Sequence, residues 1–234
     1  LSPAGIAMDV NKGPLEKAQE HIRGERVGGK IATCLGNGLA PLEPGETDTV
    51  IIAGMGGDLI CQILKAKPEF LIEGKEFILQ PQSEWFKVRR LLKEYRYQIE
   101  KEWFLKEDGK YYVIIKAEPA WTQPQRLKHQ QPSIHEYIKE ISDTPANQAV
   151  SEEDMESIYE QYGKYLIETK NPVLKEYLEK EIAKKESIAV ELKQSIKEIE
   201  SEELSGKEKG NIAKRQRRYQ EIQKEIRDMR KAIG

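Results

Sequence analysis

The chain has 234 residues, 33% of them charged, with 38 Lys and Arg against 40 Asp and Glu for a formal net charge of −2. That balance excludes a globally basic nucleic-acid binder and leaves only local patches for such a role. No apolar run approaches the roughly 18 residues of a membrane helix, and the two cysteines, Cys34 and Cys61, lack metal-site spacing and are expected as buried free thiols in a reducing cytoplasm.

The chain opens Leu1-Ser2-Pro3-Ala4 with no initiator methionine and runs almost at once into a strand, so an upstream segment is expected to be missing. Gly5 to Val10 reads as a short apolar strand carrying an acid, Asp9, at its end. Asn11 to Pro14 makes a turn, with Pro14 suited to a first helical turn, and a helix follows from Leu15 to Arg23. Val27 to Cys34 is a second strand, closing on the glycine-bearing loop Leu35-Gly36-Asn37-Gly38-Leu39. Asp48 to Ala53 is a third, whose β-branched run suits a strand covered on both faces. It stops in Gly54-Met55-Gly56-Gly57, and a helix Asp58–Lys67 follows, with Asp58 as its N-cap and Leu59, Ile60, Ile63 and Leu64 as its apolar stripe. Glu76 to Pro81 is a fourth strand, and Ser83 to Tyr95 is a helix. Tyr97 to Leu105 and Tyr111 to Ala117 flank the turn Glu107-Asp108-Gly109-Lys110, which predicts an antiparallel hairpin.

Alternating strands and helices ending in a hairpin describe an α/β, Rossmann-like sheet with an antiparallel edge. Residues 1–119 form that domain, and residues 120–150, rich in Pro and Gln, read as a connector. Residues 151–234 are helical. Ser151 to Asp154 is a helix start, and from Asn171-Pro172 the apolar positions Leu174, Leu178, Ile182, Ala189, Leu192, Ile196 and Ile199 share one face. A break at Ser205-Gly206 to Gly210 precedes a second run through Tyr219, Ile222, Ile226, Met229 and Ile233. Two such helices predict an antiparallel coiled-coil hairpin.

An acid at one strand end and glycine loops at the next two are the parts of a nucleoside-cofactor site. Asp9 is placed to accept hydrogen bonds from ribose hydroxyls. Gly36-Asn37-Gly38 could admit an adenine ring, and Ala53-Gly54-Met55 could form the floor between cofactor and acceptor. The same glycine pattern also suits a tight βα turn with no ligand.

Asp9-Val10-Asn11-Lys12-Gly13-Pro14 with Ala18, then Gly36-Asn37-Gly38-Leu39, Ile52-Ala53-Gly54-Met55-Gly56-Gly57, Leu79-Gln80-Pro81 and Glu107-Asp108-Gly109-Lys110-Tyr111 form an ordered series. It resembles the bacterial TrmK family, S-adenosyl-L-methionine-dependent methyltransferases acting on N1 of adenine 22 in tRNA. The likeness continues in Tyr162-Gly163-Lys164-Tyr165-Leu166 and Asn171-Pro172-Val173-Leu174-Lys175. It implies that Asp9 holds the cofactor ribose, that Val10 also belongs to the cofactor site, and that Asn37 and Gly38 lie by its adenine. Ala53, Gly54 and Met55 would line the cofactor, with Gly54, Met55, Gly56 and Gln80 at the reacting base. The C-terminal hairpin matches the family's tRNA-binding appendage, and a cytoplasmic monomer is expected, with a coiled-coil dimer as the alternative.

One part of the family pattern has no counterpart. In the class I methyltransferase sheet, of order 3-2-1-4-5-7-6, the first strand is central and ends in an Asp-x-Gly-x-Asp-His-like loop. Here the strands ending at Asp9 and Ala53 would be the second and fourth, facing each other across a gap. Each unpaired buried backbone group would cost about 1–3 kcal/mol, and weak or absent cofactor binding is the expectation for the chain as it stands.

Adenine N1 carries an in-plane lone pair, so alignment rather than deprotonation is the catalytic task; Gln80 could either hydrogen-bond the base edge or bind backbone only. For tRNA phosphates the candidate patches are Lys214, Arg215, Arg217 and Arg218, and on the helix after Pro81, Lys87, Arg89, Arg90 and Lys93. Either patch is also compatible with an ordinary solvated face. No metal constellation is visible. Two other readings of the residues are a non-catalytic α/β and coiled-coil interaction protein, and a methyltransferase with a small-molecule substrate.

Overall fold

The computed structural model describes residues 5–43, 45–120, 152–200 and 206–234. In chain order the elements are β1 (Gly5–Asp9), α1 (Lys12–Gly24), β2 (Ile31–Leu35), β3 (Thr49–Met55), α2 (Gly57–Ala66), α3 (Pro68–Ile72), β4 (Glu76–Pro81), α4 (Trp85–Glu94), β5 (Tyr97–Glu107) and β6 (Lys110–Pro119). The helical part is α5 (Glu152–Tyr162), α6 (Lys164–Glu168), α7 (Pro172–Glu200) and α8 (Gly206–Ile233). Two compact units result: the described residues up to Lys101 together with those from Ile114 to Ala120, and Glu102–Val113 together with the helices from α5 onward. The outer part of the β5–β6 hairpin therefore groups with the helices, not with the α/β domain that was expected to run unbroken to 119. The expected connector lies almost wholly outside the described residues.

The α/β class is as the alternation predicts, but the strands form two sheets. β1 and β2 pair in parallel, and a four-stranded sheet has the order β3-β4-β6-β5. Within the second sheet β3 and β4 are parallel, while β4 and β6 are antiparallel. The strands ending at Asp9 and Ala53 are thus not neighbours, and both border one cavity.

Burial follows this division. β4 alternates half-buried and buried residues, with Phe77 and Leu79 fully enclosed, and α2 and α4 contribute Ile60, Leu64, Val88 and Leu92 to the same core. Phe77 meets the Tyr97 ring at a centroid distance of 5.0 Å. By contrast β1 and β2 hold no fully buried residue. β3 is covered on one face only: Val50 and Ile52 are buried, but Ile51 is 67% exposed, which corrects the expectation of a strand covered on both faces.

Several local readings shift. α2 starts one residue early, with Gly56 as N-cap, so Asp58 sits in the first turn rather than at the cap. Its buried stripe is Ile60, Ile63 and Leu64, while Leu59 faces solvent. α3, which begins at Pro68, was not anticipated. The β5–β6 turn is as read: Asp108 and Gly109 both have positive φ, +47° and +76°, the requirement of a two-residue type I′ hairpin. Both cysteines are free but half-buried rather than buried.

In the second unit Ser195, Lys185 and Glu186 of α7 meet Arg215, Glu225 and Arg230 of α8 respectively. Late positions on one helix thus contact early positions on the other, and the two run antiparallel. Ala189, Ile222 and Ile226 form a buried seam, flanked by Ile182, Leu192 and Tyr219. The Gly206–Gly210 stretch expected as a break is instead the opening of α8. Among the described residues no helix is long and apolar enough to cross a membrane.

Candidate functional site

The cavity between β1 and β3 has a volume of about 550 Å³. Asp9, Gly38, Ala53 and Met55 all line it. Four of the positions singled out in the sequence, from the ends of three strands and their loops, are therefore brought together. Val10, Asn37, Gly54, Gly56 and Gln80 are not among its lining residues.

Asp9 ends β1, and its Oδ1 accepts the Asn11 N–H at 2.7 Å. That bond closes the turn into α1, whose N-cap is Asn11, and orients the carboxylate. The Asp9 carbonyl accepts the Gly36 N–H at 3.0 Å, tying the loop after β2 to the end of β1. Val10 is 61% exposed.

The glycines of the second loop have packing reasons for being glycine. A Cβ on Gly36 would lie 2.0 Å from Pro41 Cγ, and one on Gly38 would lie 2.8 Å from Ile63 Cγ2. Gly38 also has φ +56°, a region L-residues enter at a cost. The Asn37 carbonyl accepts from the Ala40 N–H at 3.2 Å, closing a short turn.

The loop after β3 is stitched to the loop after β4. The pairing of β3 and β4 shifts register between Ala53 and Met55, and Gly54, with φ +78°, lies at that irregularity. The Gly54 N–H donates to Gln80 Oε1 at 2.8 Å. The Gln82 N–H donates to the Met55 carbonyl at 2.8 Å, and the Gly57 N–H to the Ser83 carbonyl at 3.0 Å. A Cβ on Gly57 would sit 2.6 Å from the carbonyl oxygens of Ser83 and Glu84. Gly54 is different: a Cβ there would meet nothing within 4 Å. Of the glycines in this loop, Gly54 has both a positive φ and open space beside it. The Gln80 amide thus meets the loop through Oε1, while its Nε2 is buried without a hydrogen-bond partner.

At the edge of this loop both oxygens of Asp58 accept from Lys87 Nζ at 2.7 Å, and that bond raises the lysine's pKa. The Asp58–Lys87 link was missed from sequence because the partners lie on separate helices. Burial pushes the nearby Cys61 thiol up.

The cationic candidates divide. Arg89 is buried, at 4% exposure, alongside Val88 and Leu92 on the core side of α4. This corrects its placement on a phosphate-facing surface. Arg90 is exposed, its guanidinium 5.7 Å from the Phe86 ring centroid. On α8, Lys214, Arg215, Arg217 and Arg218 are all exposed. Arg215 donates to Ser195 Oγ, and Arg218 pairs with Glu221 at 3.2 Å and Glu225 at 3.4 Å. Among the described residues no group of three His, Cys, Asp or Glu side chains could hold a metal ion.

Comparison with known proteins follows the same lines. The profile of the TrmK family, tRNA (adenine(22)-N(1))-methyltransferase, matches residues 1–153. The tRNA (adenine(22)-N(1))-methyltransferase of Bacillus subtilis strain 168 is 31% identical over 174 residues, covering 61% of this chain and 72% of that protein. The crystal structure of B. subtilis TrmK superposes with a TM-score of 0.65 at 23% identity, covering 99% of this chain and 82% of that one. A Streptococcus pneumoniae protein in complex with S-adenosyl-L-methionine gives 0.64 at 22% identity, covering 99% of this chain and 81% of that one. These structures share the fold; the sequence matches carry the family. The chain belongs to the tRNA (adenine(22)-N(1))-methyltransferase family.

Proposed function

We propose that this chain carries the methyl-donor and adenine site of a tRNA (adenine-N1)-methyltransferase, with S-adenosyl-L-methionine lying beyond the carboxyl ends of β1, β2 and β3. The observation that supports it is the convergence of Asp9, Gly38, Ala53 and Met55 on one cavity. The lining fits the group. It contains carboxylates and no cation, which suits a ribose diol and a positively charged sulfonium, and its volume falls in the usual 300–1,000 Å³ range of small-molecule sites.

When bound, S-adenosyl-L-methionine supplies a methyl group made electrophilic by the sulfonium. Asp9, oriented by the Asn11 N–H, would accept hydrogen bonds from the ribose. Met55 gives the acceptor base an apolar seat, and Gly54 leaves room beside it. Neutral adenine would use the N1 lone pair to take the methyl group as the sulfur–methyl bond breaks, leaving a neutral thioether and passing the positive charge to the base, so no side chain has to remove a proton first. What the residues contribute is alignment of N1 with the methyl carbon. Gln80 acts as a positioning residue, holding the Gly54 peptide through Oε1. Because N1 lies on the Watson–Crick edge, the target base is taken unpaired or out of its stack.

For the tRNA, Lys214 and Arg217 on α8 are the cations we assign to phosphate contact, with Arg215 and Arg218 shared with Ser195 and the glutamates. One experiment with two variants tests the reading. Ligand-observed NMR with S-adenosylhomocysteine should show binding that Asp9→Ala weakens at least tenfold. Lys214→Glu with Arg217→Glu should weaken binding of a tRNA transcript and lower its salt dependence, leaving the cofactor signal unchanged. Equal cofactor binding by wild type and Asp9→Ala would remove the cofactor assignment. Unchanged tRNA affinity would remove the phosphate assignment.

A further inference from the structure

A second cavity, of about 500 Å³, lies within the helical unit, where α5, α7 and α8 meet. Its walls carry Tyr162 from α5, Tyr177 from α7, and Lys224, Asp228 and Met229 from α8. Two further acids on the wall are already neutralised: Glu225 pairs with Lys185, and Glu181 with Lys184 at 2.6 Å. Among the described residues no ion pair engages Asp228 or Lys224. The free charges of the wall are therefore one carboxylate and one ammonium, one helical turn apart on the same face of α8. Tyr162 is only 8% exposed, and among the described residues no hydrogen bond holds its hydroxyl. Burial, and after it the nearby Asp228 and Glu225 carboxylates, push that hydroxyl's pKa up. Buried hydroxyls are ordinarily hydrogen-bonded, and the cavity is the side from which a partner can reach this one.

We infer that this cavity binds a guanine nucleotide, with the Asp228 carboxylate on the base and the Lys224 ammonium on the phosphate. The base follows from Asp228. An ionised carboxylate only accepts hydrogen bonds, and its two oxygens match two adjacent donors. On the Watson–Crick edge guanine alone has such a pair, N1–H and the 2-amino group. Adenine and cytosine set a ring-nitrogen acceptor beside their one amino group, and uracil has a single N–H between two carbonyls. The Tyr162 hydroxyl can donate to guanine O6 at the end of the same edge. The rings of Tyr162 and Tyr177, with Met229, give the base an apolar seat. A bare amine fits less well, because Lys185 and Lys224 share the wall, and among the described residues no group of side chains could hold a metal ion. The site goes beyond the methyl-donor reading and does not depend on it, since every residue named belongs to the second unit.

The probe is guanosine 5′-monophosphate, titrated into the intact chain by ligand-observed NMR beside inosine 5′-monophosphate, which differs only in lacking the 2-amino group. Saturable binding of the guanine nucleotide is expected, at least about fivefold tighter than that of the inosine nucleotide. Because that change is made in the ligand, loss of folding cannot mimic it. Asp228→Asn should abolish the difference between the two. Lys224→Gln should weaken the guanine nucleotide about three- to tenfold at low salt and leave guanosine, which has no phosphate, unchanged. A uridine-flanked pentaribonucleotide with a central guanine identifies the source: binding tighter than that of the mononucleotide assigns an unstacked guanine of RNA, and binding no tighter assigns a free nucleotide. No saturable binding, equal affinity for the guanine and inosine nucleotides, or a preference that survives Asp228→Asn would overturn the inference. So would displacement by S-adenosylhomocysteine, which would put the nucleotide in the first unit's cavity.

Discussion

At Gly57 the reason for glycine is a neighbour's backbone. Its missing Cβ would overlap the carbonyl oxygens of Ser83 and Glu84 at 2.6 Å, and backbone oxygens held in a bonded loop cannot swing aside as a side chain can. Gly57→Ala should therefore destabilise by about 1–3 kcal/mol, as overpacking does. Gly13, in the first turn of α1, has nothing within 4 Å of its Cβ position and no positive φ. Gly13→Ala should stabilise by up to about 1 kcal/mol through helix propensity. Urea denaturation of the two variants should thus give midpoint shifts of opposite sign, and shifts of the same sign would contradict this account. The contrast marks what was legible at this scale. The run Gly54-Met55-Gly56-Gly57 after a β-branched stretch reveals a strand-to-helix turn. It does not reveal that Gly57 is needed for Ser83 and Glu84, because that contact joins stretches far apart in the chain. Likewise the closeness of α2's Ile63 to Gly38 joins two stretches far apart in the chain and cannot be read from Gly36-Asn37-Gly38 alone.

Among elements, the β5–β6 hairpin is fixed to α7 within the second unit by one carboxylate. Glu176 Oε1 accepts from Lys106 Nζ at 2.6 Å, Lys180 Nζ at 2.7 Å and Tyr111 Oη at 3.1 Å. Phe104, Tyr111 and Tyr177 stack around it with centroids 5.0–5.8 Å apart. The two lysine hydrogen bonds, Lys106 first, hold the Glu176 carboxyl down at about 2. A carboxylate depressed on folding contributes stability that is complete above its unfolded value near 4.5 and is lost as pH falls toward 2. The thermal midpoint of wild type should drop over that window by more than that of Glu176→Gln, whose amide does not titrate. Parallel pH profiles would show that the cluster is not what holds the hairpin. The sequence disclosed both partners as elements, since Asp108-Gly109 dictates the turn and the heptad-like spacing dictates α7. It did not disclose their meeting, or the division of the hairpin between two units. Arg89 was misplaced for a related reason. It lies three residues before Leu92 on α4, which puts its stem on the helix's buried flank, and a charged residue read alone suggests the opposite.

For the first unit as a whole, the residues that meet at the cavity are held by separate ties. Asp9 ends β1 and is bound to the loop after β2 through the Gly36 N–H, while Met55 ends β3 and is bound to the loop after β4 through the Gln82 N–H. Gln80 adds a side-chain tie by accepting the Gly54 N–H at 2.8 Å. The two halves of the lining can therefore be perturbed one at a time. Gln80→Leu removes the acceptor of the Gly54 N–H and should cost about 0.5–1.5 kcal/mol, read as a lower urea midpoint. Asp9→Ala removes the carboxylate that accepts the Asn11 N–H and, on the proposed reading, the ribose acceptor as well, so its larger effect should fall on S-adenosylhomocysteine binding. Indistinguishable effects of the two variants on both binding and stability would show that the two halves do not act separately.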